Sequence, residues 1–378
     1  MSSSGRLRIL GVSVPDVSDW NEPVPQGQWS LFFSALAERF ELVDIVQPEL
    51  SGTERYLNFA RTFHPRRRRW KASAGFNRRL ANRLTAAVER GLIGRKDSYD
   101  LIMQIQTVCA PGFSRTVPYA IYTDNTMALT QRMYPDWAPL SDKAGAWWMG
   151  YESEVCRSAA AVFTFSEFAR SSIIDDYGVS PDNVISVGAG ANQMLETLGD
   201  KDYVTPRALF VGIDFKRKGG SVLLDAWPLV RERVPNAELI IAGLPRGSRP
   251  PDLPAGVSWT GWVNRSELAK LYQSASVFVL PSIFDPCPNV LREAMGYGLP
   301  CISTNCCAIP EIINDGVTGS LVPASEPDPL ADALIELFGD PVKMAAMGQA
   351  AYMNILEGNR WIDVADRVEE HLTCPGKK

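Results

Sequence analysis

Short apolar runs rich in β-branched residues recur along this chain, and helix-forming segments separate them. That alternation restricts the fold more than any other feature. In the first half, Arg8–Val14, Leu42–Val46, Leu101–Gln106, Pro118–Thr123, Ala161–Phe165 and Val184–Val187 read as buried strands. Trp29–Phe40, Gly145–Ala160 and Ser166–Tyr177 read as helices between them. The pattern stops over Gly188–Arg207, which is polar and aperiodic, and then restarts. Ala208–Gly212, Glu238–Ala242, Val257–Trp259, Ser276–Leu280 and Leu299–Ser303 are the strands of the second half. Pro310–Asn314 reads as a short helix, and everything beyond it as helical. Strand–helix alternation implies parallel sheets with right-handed crossovers. A chain of 378 residues exceeds one ordinary core. The expectation is therefore an α/β protein with domains over 1–190 and 191–357. A last helix within 358–378 crosses back to the first domain.

The richest chemistry lies in Pro281–Pro300, PSIFDPCPNVLREAMGYGLP. A strand runs into a proline-rich loop carrying Asp285, and a short helix starts near Asn289, with Pro288 where no N–H is needed. Asp285 and Glu293 stand eight residues apart, one in the loop and one about a turn into the helix. The amides between them sit at a helix N-terminus, where free N–H groups and the dipole favour an anion. Two hydroxyl-accepting carboxylates around an anion site suit a nucleotide sugar. A capping Asp285 and a solvated Glu293 are the plain alternative. Lys218 and Gly219 precede another helix, Ser221–Val234, and read either as a diphosphate clamp or as a charged surface turn. Gly27, before the first helix, is either a phosphate-loop glycine or an ordinary turn. Asp124 and Asn125 close a strand, where α/β proteins place function. The VGAGAN segment mimics a dinucleotide fingerprint, but Gln193 replaces its third glycine and no helix follows.

A net charge of −5 gives no general affinity for nucleic acid. The seven cysteines lack metal-ligand spacing, and His64 and His371 are the only histidines, so no metal site is expected. No apolar run reaches the ~20 residues of a membrane span, and Leu7–Val14 is too short for a signal segment. The expected location is cytoplasmic. One stretch departs from the acidic balance: Arg55–Val88 contains no acid. It carries Arg66, Arg67, Arg68 and Arg69 beside Trp70. A helix beginning near Gly75 would set Arg79 and Arg83 beside a Phe76, Leu80, Leu84 stripe. Such a segment suits the inner face of an anionic membrane, at ~1 kcal/mol per basic residue. A solvated basic face is the other reading.

Several pieces in a fixed order resemble the retaining glycosyltransferases of family four. They are FSEFARSSIIDDYGVSPDNVISVGAGAN, FVG with RKGG, ELIIAG, SWTGWV, VFVLPS, D-x7-EAM-x-YGLP, IPEII and DGVTGSLVP. Together they cover roughly Phe163–Pro323; the first 132 residues resemble the family only faintly. The resemblance implies the GT-B fold, two Rossmann-like domains facing each other across a cleft. It also implies a donor site. Glu293 would hold the ribose, Asp285 the donor sugar and Lys218 the diphosphate. Trp262 and Val263 would bracket the base, and Gly27 would lie beside the phosphates. Departures accompany it. Asp285 is one methylene shorter than the usual glutamate. Ile213 stands where many members have a second arginine, which Arg217 would replace. Pro288 removes an amide, leaving Cys287, Asn289 and Val290 for the anion. Asp124 occupies the place of a frequent catalytic histidine, and Cys306-Cys307 replace a frequent glycine pair.

The expected activity is retaining transfer of a sugar from a nucleotide diphosphate sugar to an acceptor hydroxyl. It needs no cofactor and no metal, because cations and amides stabilise the leaving diphosphate. The acceptor would be a glycan, a lipid-linked sugar or a small molecule. A nucleotide-sugar epimerase, or a binding module that has lost transfer, are the alternatives.

Overall fold

The computed structural model describes residues 6–22, 27–95, 98–110, 117–245, 247, 249–250 and 252–373. They form two compact units, 1–189 with 361–378 and 190–360.

Unit 1 is built on a parallel six-stranded sheet in the order β2-β1-β3-β4-β5-β6. Its strands are β1 (Arg8–Val12), β2 (Glu41–Val46), β3 (Leu101–Ile105), β4 (Tyr119–Thr123), β5 (Ala161–Thr164) and β6 (Val184–Ser186). β3, β4 and β5 are buried throughout, which explains their unbroken apolar character. Helix α1 (Gln28–Arg39) starts at Gly27, whose φ of +87° favours glycine. Asn77 caps α4 (Arg78–Gly91) by accepting the Leu80 N–H, and Ser166 caps α7 (Glu167–Asp175) through the Ala169 N–H. Helix α13 (Trp361–Thr373) belongs to this unit and packs on α1. Trp361 meets Phe32 edge-on with ring centroids 6.2 Å apart, and Arg367 Nε donates to the Val187 carbonyl at 2.7 Å. Arg39 pairs with Asp366 at the helix surface.

Unit 2 also has a parallel six-stranded sheet, ordered β12-β11-β10-β7-β8-β9. Its strands are β7 (Arg207–Val211), β8 (Glu238–Ala242), β9 (Val257–Gly261), β10 (Val277–Leu280), β11 (Cys301–Thr304) and β12 (Gly319–Val322). This is the doubly wound order of dinucleotide-binding sheets, and its direction of winding reverses between β7 and β10.

Three corrections to the sequence reading concern local structure. The basic segment holds three helices, α2 (Gly52–Arg61), α3 (Arg67–Gly75) and α4, so Gly75 ends a helix and does not begin one. β12 is a strand where only helix was expected. Its Gly319 breaks the β pattern, yet glycine is required there: a Cβ would lie 2.0 Å from the Cys301 carbonyl oxygen. Around Pro310 the chain makes a single 3₁₀ turn, Ile309–Glu311, and no α-helix.

Trp361 is 6% exposed and packs within the aromatic cluster of Phe32 and Phe165. Trp361→Ala should therefore lower the unfolding free energy of unit 1 by ~3–5 kcal/mol. An unchanged urea midpoint would show that α13 is not part of that core.

Candidate functional site

The winding reversal in unit 2 opens a crevice at the carboxyl ends of β7 and β10, and the loops that follow these strands meet there. The meeting is a backbone contact. Gly219 has φ +73°, and a Cβ on it would lie 1.7 Å from the Pro281 carbonyl oxygen. Gly212 makes room for the Lys218 stem, since its own Cβ would lie 2.4 Å from Lys218 Cδ. Lys218 Nζ then reaches Asp285 Oδ2 at 2.8 Å, and Arg217 Nη1 lies 3.4 Å from the same oxygen. All three residues are at most 8% exposed. Arg217 also clips the loop: its Nη1 donates to the Phe284 carbonyl at 2.7 Å, and its own carbonyl accepts the Ile283 N–H at 2.9 Å. Asp285 is no helix cap. Pro288 occupies the N-cap of α10 (Asn289–Gly296), and no side chain caps that helix. Cys287 and Asn289 are buried and Val290 is half-buried at this start, where the first amides have no intrahelical acceptor.

Glu293 lies in α10 and is not a solvated acid. Its Oε1 accepts Asn192 Nδ2 at 2.7 Å and its Oε2 accepts the Tyr272 hydroxyl at 3.1 Å. Burial raises its pKa above the ordinary glutamate value, and the hydrogen bonds from Asn192 and Tyr272 partly oppose that rise. Tyr272, from α9 (Arg265–Ser274), is fully buried and stacks on Tyr297 with centroids 5.1 Å apart. Its phenol is pushed well above its usual pKa by burial, then by the Glu293 charge. Arg265 Nη2 donates to the Asn192 carbonyl at 2.7 Å.

Asn192, Tyr272 and Arg265 escaped sequence reasoning. Asn192 ends the discounted VGAGAN segment, and its signal is contact with Glu293 across 101 residues, which no local pattern reveals. Trp262 and Val263 follow β9, two strands from β7, and are not brought into the ion cluster; Trp262 is 70% exposed and Val263 half-buried. Ile213 is exposed. Cys306 and Cys307 lie near Asp285. The Cys306 thiol pKa is lowered, chiefly by its hydrogen bond with Cys307.

Gly27 and Asp124 belong to unit 1. Asp124 lines a cavity of about 300 Å³ at the carboxyl ends of β3 and β4. Asn125 donates Nδ2 to Thr130 Oγ1 at 2.8 Å, and its Oδ1 is buried without a hydrogen-bond partner. Glu152 stands at the base of the cavity and accepts from the Thr107 hydroxyl, the Met127 N–H and Tyr177.

The basic segment is only partly as expected. Arg66–Arg69, Arg79 and Arg83 are exposed, but Arg83 pairs with Glu54 at 3.2 Å. Leu84 is in the core and Phe76 packs on Trp148, so the Phe76, Leu80, Leu84 stripe is turned inward. Trp70 is half-buried: its indole N–H donates to the Phe59 carbonyl at 2.8 Å and its ring meets Phe63 edge-on. The exposed apolar groups are Tyr56, Leu57 and Phe59 on α2 and Phe63 just after it.

Residues 205–340 match the family described as Glycosyl transferases group 1. A phosphatidyl-myo-inositol mannosyltransferase of Mycobacterium leprae is 37% identical over 181 residues, 45% of this chain and 48% of that protein. The chain thus spans about half the length of this relative. Among solved structures, sucrose-phosphate synthase from Thermosynechococcus elongatus has a TM-score of 0.71 at 16% identity, covering 97% of this chain and 98% of the other. The Anabaena protein HepE, in complex with UDP-glucose, has a TM-score of 0.66 at 15% identity, covering 97% of this chain and 100% of the other.

Gly219→Ala should destabilise unit 2 by at least ~1–2 kcal/mol from the left-handed backbone alone, with the Pro281 clash in addition. Gly27→Ala is the comparison, because a Cβ on Gly27 meets nothing within 4 Å. Equal urea midpoints for the two variants would contradict the close approach. Residues 205–340 are thus similar to the group 1 glycosyltransferases, and the two parallel α/β sheets are of the GT-B kind.

Proposed function

We propose that this protein is a retaining glycosyltransferase that moves a sugar from a nucleotide diphosphate sugar to an acceptor hydroxyl. The carrying observation is the juxtaposition, at one winding reversal, of the Lys218–Asp285 pair with the open start of α10, while Glu293 sits one turn further on. Lys218 uses one of its three N–H donors on Asp285 and keeps others for a phosphate oxygen. Asp285, held by Lys218 and Arg217, accepts from donor-sugar hydroxyls. Glu293 is held by donors from Asn192, Tyr272 and Gln193, and its remaining acceptor capacity is assigned to the hydroxyls of a ribose. Cleavage of the anomeric C–O bond builds negative charge on the leaving diphosphate. Lys218 and the α10 amides face that charge, an electrostatic term that is usually the largest in catalysis. In the proposed same-face mechanism the leaving phosphate takes the acceptor proton. The same cations serve in place of a metal, so turnover persists in EDTA.

Glu293→Gln tests the reading. It keeps the shape and removes the charge, and charged hydrogen bonds are worth ~1.5–3 kcal/mol, or roughly 10- to 150-fold in affinity. Calorimetry should show that loss for a nucleoside diphosphate. Wild-type affinity should fall with acidification at a pH above the ordinary glutamate range, because the raised pKa lets protons compete early. Unchanged affinity in Glu293→Gln would remove the ribose assignment.

We further propose that the α2–α3 face docks on an anionic membrane, which suits a lipid-linked acceptor. No described helix is long and apolar enough to cross a membrane. Exposed Arg66–Arg69 follow closely on exposed Phe63, which meets Trp70, and α2 before them carries exposed Tyr56. Neutralising four charges nominally removes ~4 kcal/mol, less after salt screening. Co-sedimentation with phosphatidylglycerol vesicles at low salt should fall sharply when Arg66–Arg69 are replaced by Gln. Wild type remaining in the supernatant would refute the docking.

A further inference from the structure

We infer that the unit 1 cavity at the ends of β3 and β4 is a subsite for an uncharged polyhydroxylated ring, a hexopyranose or a cyclitol, and excludes its phosphorylated form. On the transferase reading above, this ring belongs to the acceptor.

Five observations carry the inference. The cavity is about 300 Å³, at the lower end of the ~300–1,000 Å³ of ligand pockets, which suits one ring. Its walls include Phe76, Trp137 and Trp148, and Trp137 is 44% exposed. Aromatic rings are apolar bodies that cover the C–H face of a sugar while its hydroxyls point elsewhere. Those hydroxyls need acceptors, and the cavity supplies them. The Asn125 amide is oriented by its bond to Thr130, and this leaves Oδ1 buried and unpaired. A buried acceptor in that state is completed by an O–H donor from a ligand. Asp124 adds a carboxylate beside it. The charge pattern then sets the class of ligand. Among the described residues lining the cavity there is no Lys, Arg or His, while Asp124 and Glu152 are both acids. A phosphate brought here would meet the Asp124 carboxylate and, among the described residues, no cation. At the same wall Gln106, directly after β3, has φ +59°, a conformation that non-glycine residues rarely adopt and that clusters at binding sites.

The test uses the full chain, saturated with UDP or GDP and without it. Saturation-transfer NMR and calorimetry would compare methyl α-mannopyranoside and myo-inositol with mannose 6-phosphate and inositol 1-phosphate. The uncharged rings should bind at least tenfold more tightly than their phosphates. Trp137→Ala and Asn125→Ala should each weaken the uncharged rings at least fivefold. Both variants should keep wild-type nucleotide affinity, which also verifies that they fold. Equal or tighter binding of the phosphates, no binding of any ring, or uncharged binding that is unchanged in both variants overturns the subsite. Wild type that binds the rings but no nucleotide would leave the subsite standing and remove the transferase reading.

Discussion

A carboxylate is buried at Asp285, and the surrounding site follows from that fact. Taking an isolated charge out of water is prohibitive, so the fold must bring cations to it. They come from the loop after β7, over a glycine that lets two backbones nearly touch. Arg217 and Lys218 share the work differently. The guanidinium, a rigid fork, ties the 283–285 loop by the Phe284 carbonyl, while the ammonium, a point charge, keeps donors in reserve. Removing one partner of a buried pair typically costs ~3–5 kcal/mol, chiefly because the other charge is stranded. A ligand anion entering beside this cluster meets a charge distribution set before its arrival, with little reorganisation left to do.

Much of unit 2 was legible in sequence because its chemistry is local. The strand, loop and helix around Pro281–Pro300 are contiguous, and the Lys218–Gly219 step precedes its helix directly. What escaped was the long-range complement. Asn192 and Tyr272 reach Glu293 only once the sheet is assembled. β12 was lost because a glycine needed for backbone clearance erased its β pattern.

The basic segment failed in a different way. Leu80 and Leu84 do share one side of α4, with Phe76 just before that helix, but periodicity cannot say whether that side faces lipid or core. The core took it, through Trp148 and the β3–β4 cluster. The outward aromatics lie on and just after α2, a helix absent from the sequence reading and opened by a Ser51–Glu54 capping box. The Asp124–Asn125 step was recognised as a strand end, yet the cavity beside it needed side chains from four separate stretches.

Unit 1 is written in two pieces, and this orders events during synthesis. Its closing helix α13 follows the whole of unit 2, residues 190–360. At ~5–20 residues per second, roughly ten to thirty seconds pass between completion of β6 and emergence of Trp361. Throughout that interval Phe32 and Phe165 lack the indole that later covers them. Unit 2 is contiguous and is free to fold first. The nascent first unit is therefore an exposed-aromatic intermediate on the ribosome, and a chaperone that recognises such surfaces would find it at this stage and not in the finished chain.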